Sequence, residues 1–266
     1  MTAIAVTIAG SDSGGGAGIQ ADLKTFSALG VYGASVITAL TAQNTRGVTA
    51  IHDVPADFVA AQIDAVFSDL AVDAVKVGML SQPAVIDAVA AGLVRHGQAK
   101  VVLDPVMVAA SGDPLIADRS VAVLRERLLP NVLLVTPNLP EAARLLDAPV
   151  AATRGAVEAQ AARLLALGPG AVLLKGGHGG GPESADFLLS REGGRWLTAP
   201  RIETANTHGT GCTLSSAIAA GLARGEPLEA AVAAGKAYVT AAIAAADRVA
   251  IGHGHGPVHH FHRWWP

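Results

Sequence analysis

Short runs of Val, Ile, Leu and Ala alternate along the chain with longer stretches in which apolar residues recur every three or four positions. The short runs are continuous rather than alternately apolar and polar, which is typical of strands that helices cover on both faces. The predicted strands are Ala3–Ala9, Val31–Leu40, Ala74–Val77, Lys100–Leu103, Val132–Val135 and Ala171–Leu174. The predicted helices are Ile19–Leu29, Asp57–Ser68, Pro83–Arg95, Asp118–Leu128, one starting near Pro140, Val157–Leu167, Cys212–Ala223 and Leu228–Ala246.

A β-hairpin is predicted in the last third of the chain, where Phe187–Ser190 and Arg195–Thr198 flank the turn Gly193-Gly194. The repeated strand–helix units predict an α/β fold with a doubly wound, mostly parallel central sheet flanked by helices on both faces. No Ser- or Pro-rich linker and no internal repeat divides the sequence. We therefore expect a single domain over residues 1–266.

Composition narrows the classes of partner. Hydrophobic residues make up 51% of the chain and charged residues only 15%, so a large core can form. The net charge of -3 implies no basic face and argues against nucleic acid as a partner. The alanine-rich stretch Ala230–Ala246 contains Lys236 and Tyr238 and is followed by Asp247, so we expect no clean membrane span.

The single cysteine rules out an intrachain disulfide and fits a reducing compartment. The apolar start, Met1 to Gly10, is too short and too uncharged for a signal peptide. We therefore expect a cytoplasmic protein.

Polar and glycine-rich segments follow most of the predicted strands. Ligands of open parallel sheets bind outside the carboxyl ends of the strands, so these segments should meet at one site. They are Gly10–Gly18, Gln43–Thr45, Gly78-Met79, Asp104–Gly112, Asn138–Glu141, Lys175–Gly181 and Asn206–Cys212.

The segment Asn206–Cys212 leads directly into an apolar helix. Gly209 and Gly211 let the backbone turn tightly, so that successive N–H groups can point at one anion. Phosphoryl transfer needs such a cradle because charge is spread over the oxygens of the transferred group. An ordinary glycine-rich helix start is the alternative. The segment is not a Walker A loop, and Gly10–Gly18 lacks the acidic residue near Leu40 that a dinucleotide fingerprint requires.

Other side chains at these strand ends could take part in catalysis or in binding magnesium and phosphate. Cys212 would lie just inside the helix start, where the helix dipole and backbone donors favour a thiolate, although a small buried residue is the alternative. Asn138 and Glu141 lie three residues apart and could reach Mg²⁺ through water and phosphate oxygens, or could cap a helix. Lys175 precedes Gly176-Gly177, where its ammonium could contact a phosphate or simply face solvent.

Two further groups of polar residues have weaker interpretations. Asp22 and Gln43 could hydrogen-bond a polar ring, although each alone is typical of a surface or capping residue. The C-terminal tail contains five histidines within ten residues, and no paired carboxylate or cysteine supports a metal site there. They are His253, His255, His259, His260 and His262.

Motifs in order from Ile4 to the tail resemble the hydroxymethylpyrimidine/phosphomethylpyrimidine kinases of thiamine biosynthesis. The most specific are AGIQADLKT and HGTGCTLS, accompanied by ITALTAQNTRGV, KVGML, VLDPVM, TPNLPEA, LLKGGHGG and GHGPVHHF. The resemblance implies a ribokinase-like fold and two ATP-dependent steps. The first phosphorylates the hydroxymethyl group of 4-amino-5-hydroxymethyl-2-methylpyrimidine, and the second converts the monophosphate into the diphosphate.

The resemblance also implies a role for each matched position, with ATP and Mg²⁺ as cofactors, and we expect a homodimer. The implied pyrimidine pocket is Gly10, Asp22, Gln43, Met79 and Val106. The implied anion hole is Gly209, Thr210 and Gly211, with Cys212 as its catalytic cysteine. Asn138, Lys175 and Lys236 are implied as nucleotide and phosphate contacts. Glu141 is implied as a magnesium contact, and Asp104 as an acid that acts on the magnesium site indirectly.

Two departures from the family pattern and three alternatives remain. The first loop has no proline before Ser13-Gly14, and the run Gly179–Gly181 is richer in glycine than usual. A pyridoxine or pyridoxal kinase is the alternative within the same class. A non-catalytic pyrimidine sensor is disfavoured by the intact Cys212, Glu141 and Lys175, and an NAD-dependent oxidoreductase by the missing acidic residue.

Overall fold

The computed structural model of the chain describes residues 1–108, 115–177 and 181–265. Parts of the predicted polar segments at 104–112 and 175–181, and the start of the glycine run at 179–181, lie outside the described residues. The described chain contains nine strands in one sheet. They are β1 (Ile4–Asp12), β2 (Tyr32–Asn44), β3 (Gly47–Asp53), β4 (Ala74–Val77), β5 (Val101–Leu103), β6 (Leu134–Val135), β7 (Ala171–Leu174), β8 (Glu183–Ser190) and β9 (Gly193–Pro200).

The strand order is β3-β2-β1-β4-β5-β6-β7-β8-β9. The six strands from β2 to β7 in this order are parallel, whereas β3, β8 and β9 are antiparallel additions at the two edges. Strand β2 lies on one side of β1, and β4, which comes later in the chain, lies on the other side of β1. The order therefore reverses between β1 and β4, which is where open sheets of this kind bind ligands.

In the described parts of the chain eight α-helices cover the two faces of the sheet, which confirms the predicted fold class. One face carries α1, α7 and α8, and the other carries α2 to α6. The helices are α1 (Gly18–Ala28), α2 (Ala56–Phe67), α3 (Pro83–Arg95), α4 (Asp118–Val123), α5 (Leu139–Leu146), α6 (Arg154–Leu165), α7 (Thr210–Ala223) and α8 (Leu228–Ala244).

Strand β1 shows why the strand sequences are continuously apolar. Val6 and Ile8 point into the core shared with α2 to α6, where Ile63 lies, while Ala5 points into the opposite core with Phe26. Successive side chains of a strand face opposite sides of the sheet, so both sets must be apolar when helices cover both faces.

The structure departs from the predicted elements mainly at the sheet edges. Strand β3 was not predicted, because most of its residues are exposed and it has no continuous apolar run. The predicted helix Asp118–Leu128 is regular only to Val123 and continues as a π-helical turn over Leu124–Leu128. Both strands of the predicted hairpin are longer than expected, because backbone pairing extends to Glu183 and Pro200. The predicted turn at Gly193-Gly194 is wrong, since both glycines pair with β8 and the turn lies at Arg191 and Glu192.

Helix α8 with the turn that follows it, Leu228–Arg248, is long and apolar enough by length and composition to cross a membrane, although Lys236 interrupts it. In this fold 44% of the apolar 18-residue window within that stretch is buried. The helix contributes Ala231 and Val239 to the core that it shares with α7. The core helix of a globular protein meets the same criterion, so the composition of α8 does not by itself indicate a membrane.

The C-terminal tail packs against the loop before α7. The backbone N–H of His208 donates to the carbonyl of Gly256, and the N–H of Val258 donates to the carbonyl of His208. His260 is buried with its Nε2 3.1 Å from Thr213 Oγ1. Burial lowers the pKa of His260 to about 3, so this ring is neutral and serves packing. Within the described residues, no three His, Cys, Asp or Glu side chains cluster as a metal site.

Candidate active site

A cavity of about 720 Å³ runs along the carboxyl edge of the parallel strands. It begins at the ends of β1 and β4, passes the start of α7 and reaches α8. Every predicted site residue except Asp22 contributes to its wall. These residues are Gly10, Gln43, Met79, Asp104, Val106, Asn138, Glu141, Lys175, Gly209, Thr210, Gly211, Cys212 and Lys236.

The end of the cavity at β1 and β4 is a narrow apolar slot with one polar edge. A side chain at Gly10 would come within 3.2 Å of the Met79 sulfur, so the glycine keeps the slot open. Val106 and Gln43 complete the wall. Gln43 Oε1 lies 3.0 Å from Thr41 Oγ1, whose single hydroxyl proton is also 2.9 Å from the carbonyl oxygen of Ser11, measured between the heavy atoms. A small planar ring with polar edges fits such a slot.

The residues Gly209–Cys212, called here the anion cradle, form the loop end and first turn of α7. Gly209 has a φ of 79°, and a Cβ there would overlap the carbonyl oxygen of Gly16, so two loops meet at this glycine. The first N–H groups of a helix have no carbonyl partner one turn earlier. The N–H of Thr210 donates to the Thr207 carbonyl at 3.2 Å, so Gly211 and Cys212 are the positions of the first turn whose N–H groups can serve an anion, and the helix dipole favours negative charge there.

Lys175 lies beside the anion cradle. Its Nζ is 2.6 Å from Asp104 Oδ1 and 4.0 Å from Glu141 Oε2. A Cβ on Gly211 would approach this Nζ to 3.2 Å, so the glycine gives the ammonium access to the cradle. Burial lowers the pKa of Lys175, but Asp104 and Glu141 outweigh burial and the net shift is upward. The group therefore stays positively charged.

Glu141 performs the capping role that its spacing allowed and also lines the cavity. Asn138 Oδ1 accepts a bond from the N–H of Glu141 at 2.8 Å, and Glu141 Oε2 accepts one from the N–H of Asn138 at 2.8 Å. Burial raises the pKa of Glu141 to about 7, with Lys175 opposing and Asp104 adding to the rise. A bound cation would favour the ionised form of this carboxyl group.

The expectation that Cys212 is a thiolate is wrong for the ligand-free site. Burial raises the pKa of the Cys212 thiol to about 11. Lys76 and the N–H of Gly18, the first residue of α1, favour the thiolate, but Asp22 and Asp104 oppose them. The helix start stabilises a thiolate at Cys212 by less than the loss of hydration destabilises it.

Asp22 lies behind the cavity wall, fully buried, and not in the pyrimidine pocket that the resemblance implied. Its carboxylate accepts bonds from Thr7 Oγ1 at 2.6 Å, Lys76 Nζ at 2.8 Å and Ser216 Oγ at 2.6 Å. Lys76 contributes to the cavity wall, and the sequence analysis missed it. The available signal was a lysine inside the fully buried strand Ala74–Val77.

Asp12 and His208 were also missed, and they connect the first glycine loop to the anion cradle. His208 Nε2 is 2.9 Å from Asp12 Oδ2, which also accepts bonds from the N–H groups of Gly16 and Ala17. Gln43 Nε2 lies 3.4 Å from His208 Nε2. Burial raises the pKa of Asp12, but the bonds from His208 and the backbone outweigh burial and lower it overall. An aspartate inside a glycine-rich loop was the available signal.

Lys236 occupies the far end of the cavity with all three donors in use. Its Nζ donates to Asp186 Oδ2 at 2.7 Å, to Ser184 O at 3.0 Å and to Ser184 Oγ at 3.2 Å. Asp186 in turn accepts from the N–H of Gly176 at 2.9 Å. A phosphate could bind Lys236 only by replacing one of these partners.

Comparison with known proteins agrees with the resemblance. A family model described as phosphomethylpyrimidine kinase matches residues 12–259. A protein of Rhizobium meliloti named hydroxymethylpyrimidine/phosphomethylpyrimidine kinase is 63% identical over 265 residues, covering 100% of this chain and 99% of that protein.

Two solved structures share the fold. An ADP complex of Bacillus subtilis pyridoxal kinase has a TM-score of 0.90 and 35% identity, covering 98% of each chain. A phosphomethylpyrimidine kinase from Clostridium difficile has a TM-score of 0.80 and 42% identity, covering 90% of this chain and 99% of that one. These likenesses confirm the predicted ribokinase-like fold.

The close contact at Gly209, just before α7, generates a prediction, and a glycine just after α7 provides the matched control. Gly209→Ala adds a Cβ that overlaps the Gly16 carbonyl and must displace the cradle, so ADP affinity should fall at least about tenfold, roughly 1.4 kcal/mol. Gly225, just beyond α7, also has a positive φ but has open space around it. Gly225→Ala should therefore cost only about 1–2 kcal/mol of unfolding free energy and leave ADP affinity unchanged. Calorimetric titration and urea unfolding measure both quantities, and equal ADP affinities would contradict the role of the loop contact.

Proposed function

The chain belongs to the phosphomethylpyrimidine kinase family, and we propose how its cavity carries out the two reactions of that family. The enzyme phosphorylates 4-amino-5-hydroxymethyl-2-methylpyrimidine with ATP and then phosphorylates the monophosphate, in thiamine biosynthesis. The observation that carries the proposal is the position of the anion cradle. It lies between the slot at Gly10 and Met79 and the ammonium of Lys175, so that an acceptor and a phosphoryl group can meet at one point.

The acceptor ring occupies the slot at the ends of β1 and β4. Gly10 allows the ring to approach the backbone, Met79 and Val106 contact its faces, and Gln43 hydrogen-bonds its polar edge. Asp22 takes no direct part, because its carboxylate is enclosed by Thr7, Lys76 and Ser216. The hydroxymethyl group then points towards Cys212.

The transferred phosphoryl group lies in the anion cradle. The N–H groups of Gly211 and Cys212 and the ammonium of Lys175 face the oxygens on which charge is spread. The rest of the nucleotide extends towards Asn138 and Lys236. An oxygen of the acceptor forms the new bond to phosphorus, and the bond between the γ-phosphorus and ADP breaks.

Magnesium neutralises charge on the phosphate oxygens of a bound nucleotide. The donors fit this ion, since Mg²⁺ keeps several waters and takes one or two carboxylates together with phosphates. Glu141 lines the cavity, and burial raises its pKa to about 7. Asp104 is already bonded to Lys175 at 2.6 Å. We therefore assign the magnesium contact to Glu141, with Asp104 acting through Lys175.

The two acceptors differ in what they require of Cys212. A hydroxymethyl group keeps its proton at neutral pH and must lose it as the O–P bond forms. The monophosphate has a second pKa of about 6, so its attacking oxygen is already anionic at neutral pH. In the fraction of molecules whose thiol has released its proton to solvent, the Cys212 thiolate takes the hydroxyl proton in the first step. In the second step the attacking oxygen has no proton to remove.

A homodimer and a cytoplasmic location remain predictions. A pyridoxal kinase is the second candidate function, because a pyridoxal kinase is a structural relative with a TM-score of 0.90. A non-catalytic pyrimidine sensor would bind the ring without consuming ATP, so ATP turnover separates that class from both kinases.

The choice of acceptor can be measured directly. The hydroxymethylpyrimidine should have a higher kcat/KM than pyridoxal, because the slot offers one polar edge, at Gln43, between apolar walls at Met79 and Val106. A coupled ADP-release assay compares the pyrimidine, its monophosphate and pyridoxal under the same conditions. An equal or higher kcat/KM for pyridoxal would move the assignment to the second candidate.

Substitution of Cys212 should separate the two steps. Cys212→Ala should lower kcat with the hydroxymethylpyrimidine about 10²-fold or more, and change kcat with the monophosphate only about threefold or less. In the wild type, kcat of the first step should rise with pH from about 7.5 to 9.5, since the thiolate fraction increases tenfold per pH unit below a pKa of about 11. The monophosphate serves as the internal control for folding and nucleotide binding. Equal losses with both acceptors would show that Cys212 positions the phosphoryl group and does not take a proton.

Glu141→Gln tests the magnesium contact while keeping the helix cap. Glutamine at this position can still accept the bond from the N–H of Asn138, so the fold should survive. The Mg²⁺ concentration for half-maximal activity should rise by about tenfold or more. Glu229→Gln, in the first turn of α8, is the matched control and should leave the magnesium titration unchanged. If Glu141→Gln titrates like the wild type, Glu141 is a cap alone.

A further inference from the structure

Lys76 is a charged residue in the interior of a central strand. It is the third residue of β4, has no exposed surface, and forms an ion pair at 2.8 Å with Asp22, which is also fully buried. The desolvation of two ions often costs more than their attraction returns, so a buried pair contributes little to stability. The other residues of β4, such as Val75 and Val77, are apolar, as expected for this location. The pair therefore calls for an explanation beyond packing.

The ammonium of Lys76 is fixed beneath the first turns of α7. Asp22 holds it through Oδ2 and accepts through Oδ1 a bond from Ser216, one helical turn after Cys212. A Cβ on Gly78 would come within 2.7 Å of Lys76 Nζ, so the missing side chain leaves space beside the ammonium. Lys76 and the anion cradle contribute to the wall of the same cavity.

Resting on the proposed function of the cradle, we propose that Lys76 is a positioning residue for both phosphorylations. Its ammonium, oriented by Asp22, makes the anion cradle favourable for negative charge. That charge lies on the Cys212 sulfur in the first step and on the transferred phosphoryl group in both steps.

The charged groups that face Cys212 support this assignment. Lys76 and Lys175 are positive, and Asp22 and Asp104 are negative. Both lysines are ion-paired, Lys175 with Asp104 at 2.6 Å and Lys76 with Asp22 at 2.8 Å. Lys76 is the strongest of the charges acting on the pKa of Cys212, stronger than its own counter-ion Asp22. Burial lowers the pKa of Lys76, but the charge of Asp22, with a smaller contribution from Asp104, outweighs burial, so the residue stays protonated.

Alkylation of Cys212 tests the proposal without any turnover. Cys212 is the only cysteine of the chain, and iodoacetamide reacts with its thiolate. Lys76→Met should slow alkylation at about pH 9 by roughly tenfold or more, which corresponds to a rise of one pKa unit. Lys100→Met is the matched control, because it removes the same charge from a lysine bonded to the Leu222 carbonyl at the opposite end of α7. It should leave the alkylation rate unchanged.

A second variant keeps the test valid if Lys76→Met does not fold. That variant leaves Asp22 as a buried charge without its partner, which is strongly destabilising. The double variant Lys76→Met with Asp22→Asn removes both charges and keeps a polar side chain that accepts from one of the hydroxyls of Thr7 and Ser216 and donates to the other. It should slow alkylation by about threefold or more, since Lys76 acts on Cys212 more strongly than Asp22 does.

Kinetics of the same variants provide the second readout. For the double variant, kcat should fall at least about tenfold with both acceptors, while the KM of the pyrimidine changes less than about threefold. Alkylation rates within about twofold of the wild type in the folded variants would overturn the proposal and leave the pair a structural one. If the wild-type protein phosphorylates neither pyrimidine, the proposed function is refuted. The alkylation rates still test the role of Lys76, because alkylation needs no catalysis.

Discussion

Positive charge in a poorly hydrated cavity is costly unless a counter-charge accompanies it. Three lysines line the cavity in the described part of the chain, and each is held at 2.6 to 2.8 Å by an aspartate from another segment. The pairs are Lys76–Asp22, Lys175–Asp104 and Lys236–Asp186. The ammonium groups are therefore positioned before any anion arrives. Phosphate binding then redistributes existing hydrogen bonds, and it does not have to order three long flexible side chains.

The same pairs also hold the elements of the site together. Asp22 connects α1 to β4 and α7, and Asp186 connects β8 to α8 and to the loop after β7. Asp12 and His208 connect the loop after β1 to the loop before α7, where Gly209 touches the backbone of the first loop. All of these bonds except the one between Gly176 and Asp186 join residues far apart in sequence. The geometry of the cradle consequently depends on charges whose partners lie in several elements.

The sequence predicted the central strands and the edge at which the site lies, because buried parallel strands are continuously apolar and their carboxyl ends carry the polar segments. It could not predict β3, whose residues are mostly exposed and have no apolar run. It assigned Asp22 to the substrate because the motif carries no information about Lys76 reaching that carboxylate across the sheet. The protonation of Cys212 was mispredicted for a related reason. A helix start is visible in sequence, whereas the burial that raises the pKa of this thiol is set by the tertiary structure.

The strand-like pairing of His208 with Gly256 and Val258 bears on the order in which the molecule matures during translation. Domains generally begin to fold from the N-terminal side as the chain leaves the ribosome. All nine strands precede residue 201, so the sheet can form while the tail is still inside the exit tunnel. The loop before α7 contacts the backbone at Gly16, and it can pair with residues 256–258 only after those residues have emerged from the ribosome. The strands of the sheet are therefore synthesised before the residues that pair with the loop of the cradle.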